Sequence, residues 1–320
     1  MNDQAPVSAR ARWPLVSVLI PAFNHARFVQ RCLDSVLEDP YPCKEIVIID
    51  DGSNDATGEK ISQWISEHGH RLPVHFVQRE NRGVAATLNE LALRARGEYL
   101  RLGASDDYLL PGGLDAQVRY LRGHPQKLAV IGDARVVDAH GQLLHGSAMR
   151  DLHRVDKDLY RSDSDSDSGI RHAVIRQWAV SGAVALLRRS AFDARSGWDE
   201  SLRIEDWDFF LRLVAANALG FIDLPVCAYR LHGSNLSKTT NVPARIANLR
   251  ESRQVALRCA PLFDEPDRTL LRAQSHYIAA KVEFLRRRPH RVAVHLVIYA
   301  GLSLSARWRP KRATRVAGLA

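Results

Sequence analysis

Carboxylates recur in this chain where apolar runs end, and that placement suits a charged or metal-bridged ligand. Asp50 and Asp51 follow Ile46-Val47-Ile48-Ile49 and lead into Gly52-Ser53-Asn54-Asp55. Four apolar residues in a row read as a strand buried on both faces, as in a parallel sheet. Open α/β sheets bind ligands at the carboxyl ends of such strands. A turn alone explains Gly, Ser and Asn, but two adjacent aspartates exceed its needs, and one can accept hydrogen bonds from a base or a ribose hydroxyl. Ser105-Asp106-Asp107 follows the run at 98–102 in the same way. Mg2+ and Mn2+ prefer oxygen ligands and often use one or two carboxylates completed by substrate phosphates. The competing reading makes Asp106 a cap for a helix near Pro111. Glu205-Asp206-Trp207-Asp208 opens another helix, where acids are favoured by the dipole alone. With Trp207 and Phe210 toward the core, the helical period sends Glu205 roughly outward. It leaves Asp206 at the margin of the buried face, where a carboxylate can line a cleft and act as a base. His232 lies in the polar stretch Gly233-Ser234-Asn235, a setting for a metal or phosphate contact, although a lone histidine is usually structural.

The elements that must position these groups alternate. Residues 16–20 form a strand that Pro21 ends, since proline cannot donate to a ladder. Asn24 then caps a helix with the apolar stripe Phe28, Val29, Cys32, Leu33, Val36 and Leu37. Strands at 46–49, 74–77 and 98–102 are separated by helices marked by Ile61, Trp64 and Ile65, then by Val84, Leu88, Leu91, Ala92 and Ala95. Such alternation with short links is the mark of a parallel sheet covered on both faces. It weakens after Pro125. Strands are expected at 128–132 and 135–138, a short strand at 221–223, and helix over 241–288. Residues 156–169 read as a mobile surface loop carrying an Asp/Ser repeat. A calcium loop fails there, because Gly169 is one position late and Val174 stands where the closing Glu belongs.

The chain has 320 residues, 46% hydrophobic and 25% charged, an ordinary globular composition. Four scattered cysteines without a C-x-x-C pair argue against a zinc site or a disulfide framework and suit a reducing cytosol. No secretory leader is expected, and residues 1–14 read as a flexible N-terminus. The net charge of +9 is uneven: residues 241–320 hold sixteen Lys/Arg against five Asp/Glu, leaving the first 240 near −2. A nucleic-acid binder would more often carry its basic face on the folded domain, so no specific nucleic acid is expected. The apolar run at 292–306 falls short of the ~20 residues a spanning helix needs. It is flanked by Arg286, Arg287, Arg288 and Arg291 before and by Arg307, Arg309, Lys311, Arg312 and Arg315 after, and residues 286–320 contain no acid. Two readings compete: a segment lying on an anionic membrane face, and a final helix packed on the domain with a basic tail. A Gly-x-Gly-x-x-Gly after the first strand and a Walker A sequence are both missing, which disfavours dinucleotide binding and that type of NTP hydrolysis.

The order of the pieces then becomes identifiable. Val-Ser-Val-Leu-Ile-Pro-Ala-Phe-Asn at 16–24, Asp-Asp-Gly-Ser-Asn-Asp-Ala-Thr at 50–57, Glu-Asn-Arg-Gly-Val-Ala-Ala-Thr-Leu-Asn at 80–89, Ser-Asp-Asp-Tyr-Leu-Leu-Pro-Gly at 105–112 and Glu-Asp-Trp-Asp at 205–208 follow one another. This ordered set, over about three-quarters of the chain, resembles the family 2 glycosyltransferases. The resemblance implies a GT-A fold, an α/β domain with a Rossmann-like, mostly parallel sheet and helices on both faces. That domain would span 15–240, with a nucleotide-sugar half at 15–125 and an acceptor half at 126–240. A basic helical extension would follow at 241–320. It implies inverting hexosyl transfer from a nucleotide-diphosphate sugar, with a divalent cation, Mn2+ or Mg2+. It places Pro21, Ala22, Asp50, Asp51, Asn81, Arg82, Gly83 and Asp107 near the donor, and Asp106 with His232 at the metal. Asp206 would be the base, beside Glu205. If the basic tail lies on a membrane, a glycan or lipid-linked acceptor in cell-envelope synthesis follows, with a cytoplasmic location, peripheral on the inner membrane face.

One departure stands out. The family's metal motif is Asp-x-Asp, and Ala104 occupies its first acidic position. That keeps open the alternative of a non-catalytic nucleotide-sugar-binding or interaction module with a degenerate metal motif. A sugar nucleotidyltransferase is disfavoured, since Pro21-Ala22-Phe23-Asn24-His25 lacks the glycine-rich loop expected to grip a triphosphate.

Overall fold

The computed structural model describes residues 13–161, 167–176, 182–192, 197–203, 205–233 and 241–308. The amino-terminal part alternates as β1 (Val16–Ala22), α1 (Val29–Glu38), β2 (Lys44–Asp51), α2 (Thr57–His68), β3 (Val74–Arg79), α3 (Val84–Arg94) and β4 (Tyr99–Leu102). Strands β3, β2, β1 and β4 lie side by side and parallel. Their alternate residues go to opposite faces. Val16, Val18, Ile20, Ile46 and Ile48 pack under Val29, Leu33, Val36, Ile61 and Trp64 of α1 and α2. Leu19, Val47 and Ile49 pack on the other face with Ala85, Leu88 and Leu91 of α3. Unbroken apolar runs are thus what a sheet sandwiched between helices requires.

After β4 come β5 (Tyr108–Leu109), α4 (Gly113–Gly123), β6 (Ala129–Val137), β7 (Leu143–His145), α5 (Ser168–Arg176), β8 (Ala185–Arg188), α6 (Glu205–Ala215) and β9 (Leu219–Arg230). The nine described strands form one sheet in the order β3-β2-β1-β4-β8-β6-β9-β5, with β7 beside β6. β8 runs antiparallel to both β4 and β6, and β5 antiparallel to β9. The sheet is mostly parallel with helices on both faces, as the GT-A expectation has it.

Several local expectations need correction. Pro21 does not end β1, which runs on to Ala22. The Leu19 carbonyl accepts from Gly103, so odd-numbered residues of β1 face β4, whose pairing stops at Leu19. The absent N–H of Pro21 therefore falls where no partner strand remains. Asn24 is not a helix cap: it sits at φ +55°, and α1 begins at Val29. The two short strands expected at 128–132 and 135–138 are the single strand β6. The strand at 221–223 is the early part of the twelve-residue β9. Pro225 does not end it, because it lies opposite Asp133 where the β6–β9 register shifts, a place where a ladder tolerates proline. The stretch at 156–169 is not all loop. Lys157–Tyr160 makes a 3-10 turn and α5 starts at Ser168. Residues 162–166 of the Asp/Ser repeat, like residues 1–12 of the expected flexible N-terminus, lie outside the described residues.

The carboxyl-terminal part is helical, as α7 (Val242–Cys259), α8 (Asp267–Leu285) and α9 (Pro289–Trp308). Among the described residues no helix is long and apolar enough to cross a membrane.

Candidate active site

Three strand ends converge on Asp106. It follows β4 by a short turn, and β5 then pairs antiparallel with β9, Tyr108 opposite Ala228 and Leu109 opposite Cys227. Continued backward, that register brings residue 107 against Tyr229 and residue 106 against Arg230. The Arg230 N–H donates to Asp107 Oδ1 at 2.8 Å, and its Nε donates to the Asp106 carbonyl at 2.9 Å. The guanidinium lies over the Phe28 ring at 4.9 Å. Arg230 thus fixes the 106–107 turn to the end of β9, and His232, two residues on, meets Asp106: Nε2 to Oδ2 is 2.9 Å. The structure thus brings Asp106 and His232 together.

A third group joins them that the sequence reading did not assign. His25 Nε2 lies 3.8 Å from Asp106 Oδ2. One ligand atom each from His25, Asp106 and His232 falls within 4.8 Å of the others. The run at 50–57 positions this histidine. The Ser53 hydroxyl accepts from the Asn24 N–H, the Asn54 N–H donates to Asn24 Oδ1, the His25 N–H donates to Thr57 Oγ1 and the Ala26 N–H donates to Asp55 Oδ2. The two loops are zipped together. The His25 carbonyl accepts from Phe28 and Val29 at the start of α1, and its Nδ1 sits 2.8 Å from Ser105 Oγ. The only sequence sign of this was a histidine among turn residues after a strand.

Charge in the cluster is uneven. Burial pushes the Asp106 carboxyl up, but the His232 hydrogen bond and the nearby His25 outweigh it and hold it below the ordinary carboxylate value. Burial, then the Asp106 charge, push Asp107 well above that value. Burial lowers His25, with Asp106 opposing, which favours the neutral imidazole. The set suits a divalent cation. Metal–ligand bonds of ~2.1 Å put neighbouring donors ~3.0–3.4 Å apart, and the observed 2.9 and 3.8 Å bracket that spacing.

The other expected residues fall into four groups. Asp107 is buried and turned toward the Arg230 backbone, so in this structure it braces the turn. Asp50 and Asp51 are both buried. Asp50 accepts from the Ser53 N–H and hydroxyl and from Gln78 Nε2. Asp51 accepts from Arg79 and from the backbone N–H groups of Arg82 and Gly83, and its carbonyl accepts from Asn81 Nδ2. These aspartates therefore shape the 52–55 and 81–83 loops. Gly52 sits at φ +77°, and a Cβ there would lie 2.7 Å from the Asn81 nitrogen, so glycine is what lets the loops meet. Pro21 and Ala22 end β1 beside Ile49 and Asp50.

Glu205 and Asp206 open α6, as expected, but Glu205 does not point away. It is 7% exposed, while Asp206 is half-buried. The period argument assumed that α6 has a wet face. In fact Trp207, Asp208, Phe209, Phe210, Leu211, Leu213 and Val214 are all buried. Burial, then the Asp206 charge, push the Glu205 carboxyl up to about 10. Asp208 is an anchor that the sequence reading gave no role: it accepts from Arg212 Nε at 3.0 Å and Arg258 Nη2 at 2.7 Å, tying α6 to α7.

Comparisons with known proteins fit this architecture. Over 228 residues, 71% of this chain, it is 26% identical to the chondroitin synthase of Escherichia coli. It is 28% identical to the hyaluronan synthase of Pasteurella multocida over the same share. The chain spans only 30% and 21% of those relatives' own lengths. Among solved structures, the mannosyltransferase PcManGT from Pyrobaculum calidifontis, in complex with GDP-Man and Mn2+, superposes with a TM-score of 0.60. Identity there is 20%, covering 92% of this chain and 76% of that one. TarS of S. aureus, residues 1–349 in complex with UDP-GlcNAc, gives a TM-score of 0.62 at 16% identity, covering 91% of each chain. At such identities these structures speak for the fold, which is GT-A. The sequence profile described as Glycosyl transferase family 2 matches residues 17–194, more than half of the chain, and the chain belongs to that family.

Proposed function

We propose that this chain transfers a hexose from a nucleotide-diphosphate sugar to an acceptor hydroxyl, inverting the anomeric carbon. The observation that carries the reading is the Asp106 carboxylate, partly open and facing two imidazoles at the ligand-binding edge of the sheet. Pro21, Ala22, Asn81, Arg82 and Gly83, shaped by Asp50 and Asp51, would border the donor, with Asp107 bracing Asp106 from beneath. A divalent ion, Mn2+ or Mg2+, held by Asp106 and His232 would neutralise the charge of the diphosphate leaving group. Asp206 takes the acceptor proton. Glu205, protonated and hydrogen-bonded to it, holds that carboxylate in place without adding a second negative charge. Inversion requires one such base, whereas a retaining double displacement requires a second carboxylate as nucleophile. The names of the relatives, polysaccharide synthases, and of the structural neighbours, bound to nucleotide sugars, support the substrate class. A cell-envelope polysaccharide or lipid-linked glycan is the proposed product class.

A donor panel tests this. With Mn2+ present, one nucleotide sugar should be slowly hydrolysed by the wild type. Asp206→Asn should bind that donor unchanged and transfer nothing. Transfer by the Asn variant at the wild-type rate would remove Asp206 from the role of base. Donor binding without any turnover would favour the non-catalytic module that Ala104 suggested.

A membrane contact belongs to the same reading. Of α9, Ala306 is buried, and Val292, His295, Tyr299, Leu302 and Ser303 are half-buried. Its other side shows Val294, Val297, Ile298 and Leu304 to solvent, between Arg291 and Arg307. An apolar face bordered by arginines suits an anionic lipid surface, which would bring the site to a lipid-linked acceptor. Co-sedimentation with phosphatidylserine vesicles should fall in Val297→Glu/Leu304→Glu; equal partitioning with the wild type refutes the contact.

A further inference from the structure

We propose that His25 is a third metal ligand, replacing the carboxylate missing at position 104, and that the resulting site of two imidazoles and one carboxylate selects a borderline transition ion over Mg2+. This deepens the function proposed above and rests on its metal-binding element, not on its donor or acceptor.

Three observations carry it. First, Ala104 packs against the apolar core, so position 104 contributes structure and no donor atom. Second, His25 is held as a ligand should be. Its backbone is fixed at both ends, by Thr57 Oγ1 and by the amides of Phe28 and Val29. Its Nδ1 is engaged by the buried Ser105 hydroxyl. Metal-binding histidines almost always give their second ring nitrogen such a partner, which fixes tautomer and orientation. The ring also packs edge-on to His232 at 5.6 Å and to Phe28 at 6.1 Å. Third, Nε2 is turned to Asp106 across 3.8 Å, too far for a hydrogen bond and close to the separation of two donors sharing an ion. The gap between His25 and the carboxylate has the width of a coordination site.

Donor chemistry then sets the preference. Imidazole nitrogen suits Zn, Fe, Ni and Cu, whereas carboxylate and water suit Mg and Mn, and affinity at a given nitrogen–oxygen site rises along the first row. One carboxylate with two imidazoles leaves the bound dication with a net charge of +1, where two carboxylates would leave none. More of the ion's charge therefore remains to meet a diphosphate.

The test uses metal alone and the full chain, stripped with chelator. Calorimetric titration should show Co2+ binding at least an order of magnitude tighter than Mg2+, with a visible Co2+ spectrum that changes on binding. His25→Ala should lose at least ~10-fold in Co2+ affinity and leave Mg2+ affinity unchanged. His25→Asp should reverse the preference toward Mg2+, and Ser105→Ala should lose affinity without losing the ligand. Circular dichroism melts establish that each variant folds. Wild-type Co2+ affinity and spectrum in folded His25→Ala would overturn the proposal, as would equal affinity of the wild type for Co2+ and Mg2+. The function proposed above fails separately: if no nucleotide sugar binds while Co2+ still depends on His25, the ligand set stands and the transferase reading falls.

Discussion

Glu205 gives the prediction with the most definite sign. It lies 7% exposed in the first turn of α6 beside Asp206, and its carboxyl is raised from the ordinary 4.5 to about 10, by burial first and by the Asp206 charge second. Between those two values the folded chain holds a proton that the unfolded chain has released. Stability therefore falls as pH rises through this window, by about 1.4 kcal/mol per pH unit. Glu205→Gln keeps the shape and the hydrogen-bonding amide but carries no titrating proton, so its stability should not fall with pH on this account. Between about pH 6 and about pH 7.5 the variant should gain ~2 kcal/mol on the wild type. Urea unfolding followed by tryptophan fluorescence at both values reads this directly, as a growing separation of midpoints at constant slope. Parallel curves for the two proteins would show that Glu205 is ionised in the fold. That result would also undo its assignment as the neutral neighbour of the base. The same variant separates support from chemistry. Glu205→Gln should retain part of the transfer rate, because a neutral donor still faces Asp206, whereas Glu205→Ala should lose more.

Three further outcomes follow from the packing. Asp208→Ala removes the buried carboxylate that the partly exposed Arg212 and Arg258 both approach and should cost about 1–3 kcal/mol in chemical denaturation, since both arginines can turn to water; a double-mutant cycle with Arg258→Ala should recover part of it as coupling. Gly52→Ala forces a side chain onto φ +77° and against the Asn81 backbone. It should cost roughly 1–3 kcal/mol in stability and weaken nucleotide binding measured by calorimetry. Arg101, fully buried in β4, donates Nη1 to the carbonyls of Leu102, Ala183 and Ala185, while its Nε and Nη2 find no described partner. Arg101→Met leaves those three carbonyls without their donor and takes a cation from near the buried Asp107, so it should cost about 1–3 kcal/mol; unchanged stability would show that the burial cost of the cation cancels its hydrogen bonds.

Much of the fold could be read from the chain because its parallel half is written locally. Residues 46–49 are apolar without a break because both faces of β2 are covered, and the stripes on α1, α2 and α3 face the two sides of the same sheet. The antiparallel half is less legible because its strands are defined by partners far away. β9 hides behind Pro225, and its pairing with β6 and β5 cannot be seen from residues 219–230 alone. α6 misled for a physical reason: periodicity assigns an outward face only when a helix has one, and nearly every described position of α6 is buried.

The metal cluster shows where local reading stops. Asp106 and His232 are 126 residues apart, and only the family resemblance suggested that they meet; what joins them is the β5–β9 register and the Arg230 bridge. His25 escaped even the resemblance, since its place depends on an 80-residue separation from Ser105 and on a second loop holding its backbone. The Asp-Gly-Ser-Asn-Asp run read as a ligand-facing feature, and in the fold its Ser53, Asn54 and Asp55 hydrogen-bond to residues 24–26. A loop that looked like a binding motif is, in the fold, also the support that aims His25. The loss of an acid at 104 and the presence of an imidazole at 25 are therefore one question. If the two compensate, His25→Ala with Ala104 retained should be poorer in metal binding than His25→Ala combined with Ala104→Asp, and calorimetry on the pair decides it.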